Sequence, residues 1–123
     1  RKVHPREGIL RLLAKGISLD AVVCYNDQIA MQIIPALASR GIRVPEDISV
    51  TGYDNSCMAM GDGFHLTTIV HPQEKLGEMA AQLLLSLLRG ETLQPEQSKI
   101  LIQPELVVGN SCCGIFTSKY TTC

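Results

Sequence analysis

Ala21-Val22-Val23-Cys24-Tyr25-Asn26-Asp27 is a short apolar run that stops on two polar side chains. The arrangement recurs at Ile48-Ser49-Val50-Thr51-Gly52-Tyr53-Asp54-Asn55 and at Leu66-Thr67-Thr68-Ile69-Val70-His71-Pro72. Runs this short and rich in β-branched residues read as strands covered on both faces, the situation of parallel strands with helices packed above and below. In an open parallel sheet, ligands bind outside the carboxyl ends of the strands. Polar groups recurring at three such ends therefore imply one site built from several strand tips.

Helical signals lie around these runs. Ile9, Leu10, Leu12 and Leu13 recur at helical spacing within Arg6 to Lys15, and Gly16 follows as a stop. After the first strand, Asn26 or Asp27 is placed to cap a helix whose apolar face is Ile29, Ala30, Ile33, Ile34, Leu37 and Ala38, ending at Gly41. Pro35 lies inside it and predicts a kink or a broken ladder. Strand, helix and the strand Ile48 to Tyr53 make a crossover unit, expected to be right-handed. Asn55 to Gly63 holds at most one short helix before the strand Leu66 to Val70. Pro72 opens a long amphipathic helix carrying Leu76, Met79, Ala80, Leu83, Leu84, Leu87 and Leu88, closed by Gly90. Lys99 to Ile102 and Glu105 to Val108 read as extended pieces broken by Pro104. Alternating strands and helices define an α/β sheet flanked by helices.

Composition narrows the function. The 123 residues are 46% hydrophobic and 19% charged, enough for one domain with a core. A net charge of −1 gives no basic footprint for a nucleic-acid backbone. No apolar run approaches the roughly 20 residues that span a bilayer. Five cysteines, an odd number, read as reduced structural thiols in a cytosolic protein, with a disulfide in the tail left open. Cys112, Cys113 and Cys123 fit no zinc-ligand spacing, and no metal or cofactor is expected.

The nucleophile elbow, the phosphate loop and the dinucleotide turn are all lacking. Asp54 and His71 could form an acid/base pair, but no Ser or Cys is marked as a nucleophile, so the chain does not read as an enzyme. Binding uses the same residues more economically. Asn26 both donates and accepts, Asp54 accepts two hydroxyl protons, and His71 does either according to tautomer, a set suited to a sugar. Each also has a plainer role: Asn26 and Asp54 as caps, His71 as a turn residue before Pro72. Tyr25 and Tyr53 could stack on a sugar ring, although strand alternation favours packing, and Asp27 reads as a cap rather than a ligand.

Val22 to Ala30 (V-V-C-Y-N-D-Q-I-A), Gly41 to Asn55 (G-I-R-V-P-E-D-I-S-V-T-G-Y-D-N) and Leu66 to Ile69 (L-T-T-I) resemble the effector domain of the LacI/GalR transcription repressors, in order and spacing. His71-Pro72, Leu76-Gly77 and Gln103-Pro104-Glu105-Leu106 are most similar to arabinose-responsive repressors that carry a GntR-type DNA-binding domain.

The resemblance implies a periplasmic-binding-protein-like type I fold in which two lobes close on a sugar. Residues 1–110 would be an incomplete C-terminal lobe, and 111–123 a tail of unknown role. Asn26, Asp54 and His71 would hold the effector, with L-arabinose a candidate. Operator DNA would be bound only by an N-terminal domain outside this chain, in a cytoplasmic homodimer with no membrane contact. Met31, Pro35, Met58 and Met60 fall where relatives pair, and read equally as core or scattered surface. The alternative is a sugar-binding protein of a transport system with the same fold.

Overall fold

The computed structural model describes residues 4–56, 63–92 and 99–113. In order, the elements are α1 (Pro5–Ala14), β1 (Ala21–Val23), α2 (Asp27–Ala38), β2 (Ser49–Thr51), β3 (Thr68–Val70), α3 (Gln73–Leu88) and β4 (Glu105–Val107). They fall into two compact units, one of Arg1–Val70 with Leu106–Cys123 and one of His71–Glu105. The second unit lies within the 1–110 span that sequence treats as a single lobe.

The first unit is the expected α/β layer. β1 and β2 run parallel, with Ala21 opposite Ser49, Val22 opposite Val50 and Val23 opposite Thr51. A parallel bridge between Thr51 and Thr67 carries the sheet on to β3, which pairs with β4. The core is Ile9, Cys24, Ala30, Ile33, Ala36, Leu37, Ile48 and Val50, where α1 packs on α2 and α2 on β2. Ile9, Ala30, Ile33, Leu37, Ile48 and Val50 match the patterning, but Ala36 is buried in place of Ala38, Leu12 is exposed, and β1, expected to be covered on both faces, leaves Val23 83% exposed.

α2 starts where the sequence says it should, and Pro35 does not end it: the helix runs through to Ala38 with Pro35 exposed. Pro35 leaves one rung of the ladder, to the Met31 carbonyl, without its donor, and the three residues after it continue the helix. Gly41 then takes φ +72°, and the amides of Gly41 and Ile42 close on the carbonyls of Ala38 and Leu37. This left-handed stop satisfies carbonyls the helix leaves over. The turn into β2 is set by Asp47, which accepts from the Arg43 backbone (2.8 Å) and side chain (2.9 and 3.0 Å). Those bonds hold the Asp47 carboxyl down at about 2.

Two expectations change. Lys99 to Ile102 forms no strand; β4 alone is extended in that region. Ser111, assigned by sequence to the tail, is fully buried. Its Oγ accepts from the Thr67 amide (2.8 Å) and donates to the Val50 carbonyl (2.6 Å), while its own carbonyl accepts from the Val50 amide (2.8 Å). Ser111 thus ties β2 to β3 where the two strands part. Polar periodicity could not show this, because a serine reads as loop until its partners are known.

In the second unit α3 begins after Pro72, which sits at the cap position, and none of its residues is buried. Leu76, Leu84, Leu85, Leu87 and Leu88 are exposed. An apolar stripe on a 16-residue helix is the pattern of a helix that packs against a neighbour.

Candidate functional site

The polar tips of β1 and β2 meet. The Cys24 amide donates to the Thr51 carbonyl and the Asp27 amide to the Tyr53 carbonyl, both at 2.9 Å, so Asn26 is carried alongside the turn that holds Asp54. β3 joins from the other side: the Gly52 amide donates to the Thr67 carbonyl (2.9 Å) and the Asp54 amide to the Ile69 carbonyl (3.0 Å).

Asn26 is both of the things sequence allows. Its backbone is extended (φ −154°, ψ 172°), and its Oδ1 accepts from the Ile29 amide at 3.0 Å, capping α2. The acceptor is thereby occupied, and the half-buried side chain keeps its Nδ2 amide to offer a ligand. Asp54 is half-buried with φ +93°, and Asn55 follows at φ +48°. Two consecutive non-glycine residues at positive φ store strain of order 1–3 kcal/mol each, a cost that persists only where surroundings hold it. His71 begins the second unit; it is half-buried, and its carbonyl accepts from the Gln73 amide at 2.7 Å. The site residues that the structure brings together are therefore Asn26 and Asp54.

Asp27, read from sequence as a cap, does not cap α2; Asn26 does. It is 1% exposed, its Oδ1 accepts from the Thr68 hydroxyl (2.6 Å), and its Oδ2 accepts from the Ser56 amide (2.9 Å). The positive end of α2 adds favourable field at this first helical residue. Gly52 lies against it, and a Cβ there would collide with the Asp27 carboxylate and the Leu66 side chain. The signal available in sequence was the Asp next to a capping Asn, which does not by itself say which of the two turns inward.

Tyr25 departs from the packing expectation: β1 ends at Val23, strand alternation no longer applies, and the ring is 85% exposed. Met31 is half-buried and Pro35 exposed one turn further along α2, whereas Met58 and Met60 lie outside the described residues. No cluster of three or more His, Cys, Asp or Glu is placed to hold a metal among the described residues. A groove of about 410 Å³ lined by Ile34, Ala38, Ile42, Val44 and Phe64 involves none of the strand-tip residues.

Cys24, Cys112 and Cys113 are free thiols. Burial, and secondarily the charge of Asp27, pushes Cys24 up to about 11. Iodoacetamide at pH 8 is expected to label Cys113, which is exposed, and to leave Cys24 unlabelled until urea is added, as read by peptide mass spectrometry. The fold keeps this thiol neutral while an unfolded thiol ionises near pH 8.5, so its contribution to stability is complete below that pH and lost as the pH rises toward 11. Cys24→Ala is expected to flatten the fall of the urea midpoint over that alkaline window.

The architecture is a parallel α/β layer whose polar strand tips meet. The sequence profile of the periplasmic binding protein-like domain matches residues 4–112, and the chain belongs to that family. Relatives include the arabinose metabolism transcriptional repressors of Halalkalibacterium halodurans (40% identical over 94 residues, 73% of this chain) and Geobacillus stearothermophilus (36% over 91 residues, 74% of this chain). The chain spans about a quarter of the length of either, 25% in each case. Among solved structures, the lac repressor dimer bound to operator and the anti-inducer ONPF superposes with a TM-score of 0.76 at 29% identity, over 89% of this chain and 37% of that one. A complex of the transcriptional regulator CelR with cellobiose gives 0.74 at 31% identity, over 87% and 32%. All four are named as repressors or regulators. No helix among the described residues is long and apolar enough to cross a membrane.

Proposed function

We propose that this chain supplies one wall of the effector site of a LacI-type transcriptional repressor, binding a small polyhydroxylated molecule by hydrogen bonds rather than transforming it. The observation that carries the reading is the meeting of Asn26 and Asp54 at adjoining strand tips. Nδ2 of Asn26 donates, both oxygens of Asp54 accept, and a sugar hydroxyl satisfies either. Each hydroxyl left unmatched in such a site costs about 1–3 kcal/mol, which is how it selects one sugar among isomers. His71 is the third contact that the sequence proposes.

The likeness to two arabinose repressors makes L-arabinose the first effector to test, and favours a regulator over a transport protein. In the whole protein, effector binding would alter the hold of an N-terminal domain on operator DNA through different affinities for two conformations. A homodimer pairing near Met31 and Pro35 on α2, in the bacterial cytoplasm, fits this role. Calorimetry of the intact protein against pentoses and hexoses is expected to show one sugar bound per chain and that sugar shifting operator affinity. Heat of binding from no sugar in the panel would refute the sugar reading, and turnover of a bound sugar would refute the non-catalytic one.

A further inference from the structure

The proposed effector site depends on a turn that should not hold its shape unaided. Asp54 and Asn55 both sit at positive φ, yet neither is glycine. Four bonds fix the turn from outside. The Asp54 amide reaches the Ile69 carbonyl, the Ser56 amide reaches Asp27 Oδ2, the Tyr53 carbonyl receives the Asp27 amide, and the Asn55 amide approaches Thr68 Oγ1 at 3.4 Å. Two of these four end on Asp27, and the Thr68 hydroxyl that meets Asn55 also donates to Asp27. One buried carboxylate thereby connects the turn after β2 to the start of β3 from the residue that follows the tip of β1.

We infer that Asp27 and Thr68 are positioning residues: they hold the Tyr53–Ser56 turn in the strained form that aims Asp54 at the effector, without touching the effector themselves. This rests on the functional reading above. The burial of Asp27 supports it, since a carboxylate at 1% exposure cannot reach a ligand yet is costly to keep inside unless both oxygens are bonded. Gly52 supports it independently, because the chain leaves out a side chain where one would displace that carboxylate.

Thr68→Val keeps the branched shape suited to a strand and removes the hydroxyl. In the intact protein it is expected to weaken the affinity of the best sugar by about 10- to 100-fold, the equivalent of one lost hydrogen bond to a charged group. Thr68→Ser, which restores the hydroxyl, is expected to recover binding to within a few-fold of wild type. Amide hydrogen exchange supplies a readout that needs no sugar. Thr68→Val should speed exchange at Asp54 and Ser56 while the Ala30 amide, bonded to the Asn26 carbonyl within α2, keeps its rate. Equal acceleration at all three amides would reduce the network to ordinary stability and overturn the inference. So would faster exchange at the turn with undiminished sugar affinity, or failure of Thr68→Ser to recover it. If wild-type protein binds no sugar, the functional reading fails; unchanged exchange at Asp54 and Ser56 in Thr68→Val sinks the clamp itself.

Discussion

Asp54→Gly is expected to abolish effector binding and to leave the protein as stable as wild type, or more stable. Two hydroxyl contacts to a carboxylate, each worth about 1.5–3 kcal/mol, give a loss of at least about 100-fold in affinity. The stability side follows from the backbone. At φ +93° a Cβ is strained and a glycine is not, so the substitution releases strain of about 1 kcal/mol and gives back a similar amount in unfolded-chain entropy. Asp54→Ala separates the two effects. It should lose binding equally and keep the strain, and because the strain glycine releases and the entropy it gives back are each about 1 kcal/mol, the glycine variant should be at least as stable as the alanine one. A glycine variant that binds sugar as wild type does would remove Asp54 from the site. A glycine variant less stable than the alanine one would show that the turn does not need its left-handed form.

Gly52→Ala is expected to be strongly destabilising. The added Cβ meets the Asp27 carboxylate and a Leu66 methyl closer than atoms approach in folded proteins; the Leu66 side chain can turn aside, but the carboxylate is held by Thr68 and Ser56. Overpacking alone costs about 1–3 kcal/mol, and a displaced carboxylate forfeits its bonds as well. A loss of about 3 kcal/mol or more, roughly 10–20 °C in midpoint for a domain of this size, is the expected result of thermal and urea unfolding. A shift of under 1 kcal/mol would mean that Asp27 can move away without consequence, which would also weaken the argument that it positions Asp54.

The strands and helices of the first unit were legible because burial there follows simple periods. Val22 and Val50 sit in short apolar runs between polar stops, and Ile29, Ile33 and Leu37 repeat along α2. Asn26 and Asp54 were legible as candidates because polar residues recur where apolar strand runs stop. Asp27, Thr68 and Ser111 were not. Each is buried by partners 29 to 61 residues away in sequence, and only the folded chain brings those partners within reach. Strain at Asp54 was equally hidden, since the residue type suggests a turn but not its hand. For α3 the amphipathic spacing was legible and what covers its apolar face was not: Leu84 and Leu88 lie exposed.

Ser111 also orders events in time. It closes on Val50, 61 residues earlier, and on Thr67, 44 residues earlier. A chain made from its amino end must therefore finish β1, α2, β2 and β3 and wait through the whole of α3 before the seam between β2 and β3 can be sewn. Until then the Val50 carbonyl and the Thr67 amide lack the serine hydroxyl that joins them, and the backbone of β2 at Val50 lacks its partner on the β3 side. The period of vulnerability during synthesis is thus set by the length of the inserted second unit.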